Sequence, residues 1–265
     1  MSFGICLISI IPVRSEPSDK AELCTQLLFG ELYTILESTT EKKWIRIKIK
    51  DDDYEGWISS NQSYALSEEQ FNQLHKLNKY YVSSILGLVR TNDNIFPILC
   101  GSVFYSLPIH KKLMVINNTP FNIDSTSLLD SSSPPSDRHE LITFAFSFLN
   151  TPYLWGGRTH FGIDCSGFTQ HVFKLNGYRL PRDAWQQAEE GVKIPLTAAQ
   201  EGDLAFFKNN DEKITHVGIV LKNHSIIHAP GHVRIDGLDE KGIYKIDNEK
   251  QTYTHQLAMI KKIIP

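Results

Sequence analysis

The sequence predicts an α+β protein in which small β-barrels precede a domain of helices followed by an antiparallel sheet. Three observations carry that prediction. Residues 1–66 break into short alternating runs separated by turn residues. The stretch Ser131-Ser132-Ser133-Pro134-Pro135 has linker composition, serine giving flexibility and the proline pair an extended path. Beyond it, two stretches with helical spacing are followed by four strand-like runs. With 265 residues, 41% hydrophobic and 22% charged, the chain has ordinary globular composition and length for one large domain or two to three small ones.

In residues 1–66 the expected strands are Ile5 to Val13, Leu23 to Phe29, Glu31 to Leu36, Trp44 to Ile49 and Gly56 to Ile58, enough for one small barrel. From Ile45 to Ile49 apolar residues alternate with charge, and Asp51-Asp52-Asp53 turns the chain back into Tyr54-Glu55-Gly56-Trp57-Ile58, a hairpin. Ser67-Glu68-Glu69-Gln70 opens a short helix with Phe71, Leu74 and Leu77 on one face, a connector over 67–78. Residues 79–126 return to short β-like runs (Ile95 to Leu99, Val103 to Tyr105, Leu113 to Ile116) and are expected to form a second, smaller barrel, with a linker at 127–136.

The last domain is expected over 137–265. Asp137 with Glu140 three residues on reads as a helix start, followed by Leu141, Phe144, Ala145 and Phe148 on one face. A second helix begins at or just before Cys165, carries Phe168, Val172 and Leu175 at helical spacing and stops at Gly177. Asp203 to Phe207, Val217 to Leu221, Ser225 to Ala229 and Val233 to Ile235 then read as strands.

Composition excludes several classes. The net charge is −3, and no stretch combines dense Lys/Arg with aromatic residues, so a nucleic-acid partner is not expected. Four dispersed cysteines without Cys-x-x-Cys pairing argue against a disulfide scaffold and a zinc knuckle. The apolar run from Phe3 to Val13 lacks a basic start and contains Pro12, which reads as a first strand and not a secretory leader. No run has the length of a membrane-spanning helix. The expectation is a soluble, cytoplasmic protein with no membrane or obligate protein partner; a periplasmic or extracellular location is the alternative if a leader has been removed.

The chemistry concentrates at Cys165. It lies in Gly162-Ile163-Asp164-Cys165-Ser166-Gly167-Phe168 at a helix start, where exposed N–H groups favour a thiolate, and His216 and His228 follow at the ends of apolar runs. A thiol nucleophile, a base (His216) and a second imidazole that orients the first (His228) make a cysteine-hydrolase constellation. A zinc site from the same three residues would lack the closely spaced ligand pair usual in such sites, so no metal or other cofactor is expected. His75, His110, His139, His160, His171, His224, His232 and His255 lack this setting and are assigned no role.

Residues from about 136 onward resemble the NlpC-type cysteine peptidases of bacterial cell-wall metabolism. The resemblance rests on Pro152-Tyr153-Leu154-Trp155-Gly156-Gly157, Asp164-Cys165-Ser166-Gly167-Phe168, Leu180-Pro181-Arg182-Asp183, Gly202-Asp203-Leu204, His216-Val217-Gly218-Ile219-Val220 and His228-Ala229, in that order. It implies a circularly rearranged papain-like α+β domain with Cys165 as nucleophile, His216 as base, His228 as the orienting third member and Tyr153 beside the nucleophile, steadying the oxyanion. Glu22, Leu27 to Glu31 and Tyr54 to Ile58 resemble the bacterial SH3-like modules that precede this domain in γ-D-glutamyl-L-diamino-acid endopeptidases, the dipeptidyl-peptidase VI type.

That subgroup implies a murein peptide substrate, L-Ala-γ-D-Glu-diamino acid. Its free L-Ala amine would be read by Asp183 and Glu22, in a pocket also lined by Tyr54, Trp155 and Ser166. Ala184 departs from the serine common in the subgroup. The first barrel is then either a wall of the active site or a tethering module or spacer. Two other functions remain open at this stage: a thiol acyl or amide transferase using the same thioester, and a non-catalytic peptidoglycan-binding protein.

Overall fold

The computed structural model describes residues 2–106, 112–124, 127–247 and 250–265. His110 and parts of the predicted second barrel (107–111, 125–126) lie outside the described residues. The chain forms two compact units, Met1–Pro134 and Pro135–Pro265.

Among the described residues, the regular elements of the first unit are strands, one α-helix and a 3-10 turn at Ser60–Gln62. Ser2–Ile5 (β1), Ile10–Arg14 (β2), Leu23–Leu28 (β3), Leu32–Ser38 (β4), Trp44–Ile49 (β5), Glu55–Ser59 (β6) and Tyr64–Leu66 (β7) make one antiparallel sheet in the order β3-β2-β6-β5-β4-β1-β7. β5 shows why it forms. Ile45, Ile47 and Ile49 point inward and are buried, while Arg46 on the outer face bonds Glu37 and Glu55 on the flanking strands. The run Ile5–Val13, expected as one strand, is two. The chain leaves the sheet at Cys6, whose N–H and C=O bond Glu31 and Gly30, and re-enters at Ile10 beside β3. Apolar residues on both sides of that break hide it from a reading by hydropathy.

Glu68–Lys76 (α1) begins with a complete capping box between Ser67 and Gln70. Its Phe71 and Leu74 do more than connect: they are buried in a core that joins Ile5, Phe29 and Leu32 of the leading sheet to Tyr80, Val82, Val103 and Phe104 beyond the helix. Those following residues form Asn78–Val82 (β8), Leu86–Arg90 (β9), Ile95–Leu99 (β10), Val103–Ser106 (β11), Leu113–Ile116 (β12), Thr119–Asp124 (β13) and Leu128–Asp130 (β14). They pair as two small sheets, β10-β9-β13-β12 and β11-β8-β14.

The second unit opens with Arg138–Phe146 (α2), whose N-cap Asp137 accepts from the Glu140 N–H at 2.8 Å. A two-stranded ribbon, Arg158–Thr159 (β15) and Gly162–Ile163 (β16), leads into Cys165–Leu175 (α3), and Ala184–Gln187 (α4) follows. The strands are Val192–Ile194 (β17), Leu204–Lys208 (β18), Ile214–Leu221 (β19), Ser225–His228 (β20), Arg234–Leu238 (β21), Gly242–Asp247 (β22) and Lys250–Lys262 (β23). β17, β22 and β23 were not anticipated from sequence. The order is β17-β23-β18-β19-β20-β21-β22, and an added β22–β23 pairing closes β18–β23 into a ring. Alternation along β19 sends Val217, Ile219 and Leu221 toward the helices and Val220 into the ring interior. Among the described residues no helix is long and apolar enough to cross a membrane.

One buried group on α3 sets a pH liability. His171 is 1% exposed, packs edge-on against Phe148, and has no hydrogen-bond partner for either ring nitrogen. Burial, with the charges of Arg158, His160 and Lys174, holds its pKa well below the ordinary 6.5. The unfolded chain therefore binds a proton that the folded one refuses, so the stability from keeping this ring neutral is complete above pH 6.5 and is lost as pH falls below it. Replacing His171 by Leu should stabilise the protein, by about 1–3 kcal/mol for removing an unsatisfied buried polar group. The gain over wild type in denaturant unfolding should widen from pH 7 to pH 5; a gain that does not widen would show that His171 does not carry the acid sensitivity.

Candidate active site

α3 starts at Cys165 because Asp164 caps it. Asp164 Oδ1 accepts the Gly167 N–H at 2.6 Å, and Oδ2 accepts the Gly156 N–H at 2.8 Å. Arg182, 1% exposed, grips both carboxylate oxygens at 3.0 and 2.6 Å and also donates to Ser166 Oγ at 3.0 Å. A side chain at residue 167 would collide with Gly157 O and Asp164, so glycine is required there. Gln187 ties the same turn to α4, donating to Ser166 O at 3.0 Å and Pro181 O at 2.9 Å. Breaking a buried, bidentate pair of this kind costs about 3–5 kcal/mol, so the helix start is firmly placed.

The backbone of Val217, next to His216 on β19, is near enough to the Cys165 sulfur to pull its pKa down. From His216 a chain of two imidazoles and a carboxylate runs across three strands. His216 Nε2 is 2.8 Å from His228 Nδ1, and His228 Nε2 is 3.0 Å from Asp236 Oδ2, which also accepts from Arg234 Nε at 2.9 Å. The strand register explains the alignment. Gly218 of β19 pairs with His228 of β20, and a side chain at 218 would strike the His228 Cβ. Ile226, two residues before His228, pairs with Asp236 of β21, so both chain members share one face.

The donors and acceptors have one consistent assignment. Burial opposes ionisation of Asp236, but the hydrogen bonds from His228 and Arg234 outweigh it and hold its pKa below the ordinary range. An ionised carboxylate only accepts, so His228 carries its proton on Nε2 and presents Nδ1 as an acceptor. His216 must then donate from Nε2, which leaves the lone pair on His216 Nδ1. Burial is the largest cause keeping both rings neutral. For His216 the charges of His228, His255 and Arg234 add to it, and for His228 the Asp236 hydrogen bond works against it. The ring is thus a base, ready to take a proton.

The thiol is correspondingly protonated at rest. Burial pushes Cys165 up to about 12 with help from the Asp164 charge, against the pull of the Val217 N–H, Arg182 and the Ser166 N–H. This corrects the expectation of a thiolate at the helix start. Asp164 takes the Gly167 N–H and sets its own negative charge near the sulfur, burial outweighs the pull of the Ser166 N–H, and no imidazolium stands by. Cys165 is 7% exposed, whereas Cys24 is half-buried, so exposure alone does not favour Cys165 toward reagents. Tyr153 is coupled to the same sulfur. Burial raises its hydroxyl to about 12, with the Cys165 and Asp164 charges contributing, so it remains a donor across neutral pH.

The other sequence candidates fall as follows. Ser166 is buried, and its hydroxyl is engaged by Asp164 and Arg182. Asp183, half-buried, heads α4, where its N–H donates to Gln186 Oε1 at 3.0 Å. Trp155 is 58% exposed on the turn beside Gly156, and the Ala184 methyl is packed in the core. Glu22 and Tyr54 belong to the N-terminal unit: Glu22 is exposed ahead of β3, and Tyr54 is half-buried on the β5–β6 turn. Asp236 and His255 were missed. The His255 ring, expected in a tail without a role, stacks on His216 with centroids 4.3 Å apart. Among the described residues, no group of three or more His, Cys, Asp and Glu is placed to hold a metal ion.

Comparison with known proteins gives the family. The NlpC/P60 family model matches residues 150–251, and the model for the bacterial dipeptidyl-peptidase Sh3 domain matches residues 13–62. A gamma-D-glutamyl-L-lysine dipeptidyl-peptidase of Bacillus subtilis (strain 168) is 30% identical over 225 residues, 78% of this chain and 72% of that protein. The chain belongs to the NlpC/P60 family. It is a cysteine peptidase of the cell-wall type, with an α+β, papain-like catalytic domain and an SH3-like domain before it. Dipeptidyl-peptidase 6 of Lysinibacillus sphaericus is 25% identical over 264 residues, covering 90% of this chain and 92% of that one. The crystal structure of an NlpC/P60 family protein from Bacillus cereus ATCC 10987 has the same fold, with a TM-score of 0.84 over 100% of both chains at 19% identity.

Two outcomes follow for the peptidase. Asp236→Ala frees His228 to turn or change tautomer, so kcat should fall about 10- to 100-fold with KM little changed; steady-state kinetics showing kcat within twofold of wild type would remove Asp236 from the chain. His216 loses its function as base when protonated, and its lowered pKa keeps it neutral down to below the ordinary 6.5. The acid limb of kcat/KM should therefore lie below about pH 6.5; a limb above 7 would contradict a neutral resting imidazole.

Proposed function

We propose that the peptidase hydrolyses the γ-D-glutamyl–diamino acid bond of murein peptides with a free N-terminal L-Ala, releasing L-Ala-γ-D-Glu. The observation that carries this reading is the proton chain from Asp236 through His228 to His216, which leaves a lone pair on Nδ1 of the residue next to Val217, whose backbone pulls down the pKa of the Cys165 thiol. The substrate class is supported by the two relatives named as dipeptidyl-peptidases, one of them for gamma-D-glutamyl-L-lysine.

His216 Nδ1 takes the Cys165 proton as the sulfur attacks the γ-carbonyl carbon of D-Glu. The tetrahedral oxyanion accepts a hydrogen bond from Tyr153, whose hydroxyl stays protonated. His216 then returns the proton to the departing amine of the diamino acid, the C–N bond breaks, and a thioester joins Cys165 to the dipeptide. Water attacks the thioester with His216 again as base, and the thiol recovers its proton as the dipeptide leaves. Asp183 reads the L-Ala ammonium: a buried ammonium needs a carboxylate partner, so chains whose alanine is still amide-linked are rejected. Trp155 walls the same pocket.

Mass spectrometry of L-Ala-γ-D-Glu-L-Lys after incubation should show free lysine and the dipeptide, and no turnover by Cys165→Ala. Asp183→Asn should reduce kcat/KM at least tenfold more for the free amine than for the N-acetylated peptide. Equal loss on both peptides would separate Asp183 from amine recognition, and unchanged turnover by Cys165→Ala would overturn the mechanism.

A further inference from the structure

The hydrogen bond from His216 Nε2 to His228 fixes one point of the ring but not its plane. The outer side-chain torsion of histidine has broad wells, so a ring held at one point rocks about that bond and carries Nδ1 through an arc. A second contact removes this freedom. His255, projecting from β23, lies nearly flat against His216, with ring centroids 4.3 Å and planes 25° apart. The Phe207 ring lies beside both, 5.9 Å from His216 and 6.0 Å from His255. His216 is thus held by an edge at His228 and by a face at His255.

The His255 ring is itself fixed. Thr254 Oγ1 donates to Ile243 O at 3.3 Å, and a carbonyl only accepts, so His255 Nδ1, 2.9 Å from the same hydroxyl oxygen, is the donor there. The turn between β21 and β22 closes tightly on the His255 backbone: a side chain at Gly242 would collide with the His255 carbonyl, and the Leu257 N–H bonds Lys241 O at 3.1 Å. Burial, with the charges of His228, Arg234 and Lys245 outweighing that of Asp236, lowers the His255 pKa to about 4. The ring is therefore a neutral plate at neutral pH.

Its place in the fold adds a second effect. Thr215, next to His216 on β19, is exposed and lines a surface cavity of about 710 Å³ together with Tyr253, Thr254 and His255, yet His216 itself is only 6% exposed. The ring that lines the cavity is the ring that covers His216. We propose that His255 is a positioning residue of the peptidase: its ring fixes the plane of His216, so that Nδ1 keeps one direction, and it shuts the surface cavity off from the base. The proposal rests on His216 acting as base, as in the mechanism above. His255 passes no proton and meets no substrate; it acts through His216 alone.

The test compares His255→Phe, which keeps a flat ring, with His255→Leu, which keeps apolar bulk without one. On L-Ala-γ-D-Glu-L-Lys, His255→Leu should lower kcat about tenfold or more with KM little changed, and His255→Phe should recover most of that loss. Nitrogen-15 NMR of the resting protein reads the same point without substrate: the His216 ring nitrogens should keep their wild-type shifts in His255→Phe and move toward the average of the two tautomers in His255→Leu. Equal kcat in the two variants, a loss that falls on KM instead, or His216 shifts unmoved by leucine would each overturn the proposal. Wild-type protein that leaves this peptide intact would remove the substrate reading only, and the shifts would still decide for or against His255. Turnover by His216→Ala would remove the base, and the positioning role with it.

Discussion

The site depends on where one proton sits. Asp236 is an acceptor and nothing else, and that fact passes through His228 to decide which nitrogen of His216 is free. Without the carboxylate, either ring could take the opposite tautomer, and the lone pair of His216 could move from Nδ1 to Nε2. The fold makes the chain short. Three consecutive antiparallel strands carry one member each, and the glycine at 218 opens the space that the His228 side chain fills.

A second constraint holds the nucleophile. The Asp164–Arg182 pair is buried at the start of α3 and takes up the Gly167 N–H, while the Asp164 charge opposes a thiolate at Cys165. Rigidity is gained and activation by the helix end is given up. On the proposed mechanism the thiol is neutral until His216 removes its proton, so that the imidazole chain activates and the helix start positions. Burial acts in the same direction on both partners, raising the thiol and lowering His216, so charge separation waits for substrate.

Much of this was legible in the sequence, for physical reasons. Cys165, His216 and His228 stand in local patterns, a capped helix start and two strand ends, so spacing and residue type exposed them. Asp236 was invisible because its relation to His228 is made by strand register, eight residues along and across a turn at Pro230 and Gly231. His255 was read as tail because β23 alternates polar residues over much of its length, and its apolar positions are sparse where it pairs with β22. The break between β1 and β2 was hidden by apolar residues on both sides. The helix at Glu68–Lys76 showed itself through its capping box, but its burial in a core shared across the first unit is a tertiary fact that periodicity does not contain.

The most direct measurement is nitrogen-15 NMR of the histidine side chains in the resting enzyme near neutral pH, which distinguishes protonated from lone-pair ring nitrogens. The account requires neutral rings, with the proton on Nε2 of both His228 and His216 and a lone pair on His216 Nδ1. A His216 protonated on Nδ1, whether as the other tautomer or as an imidazolium facing a thiolate, would contradict it.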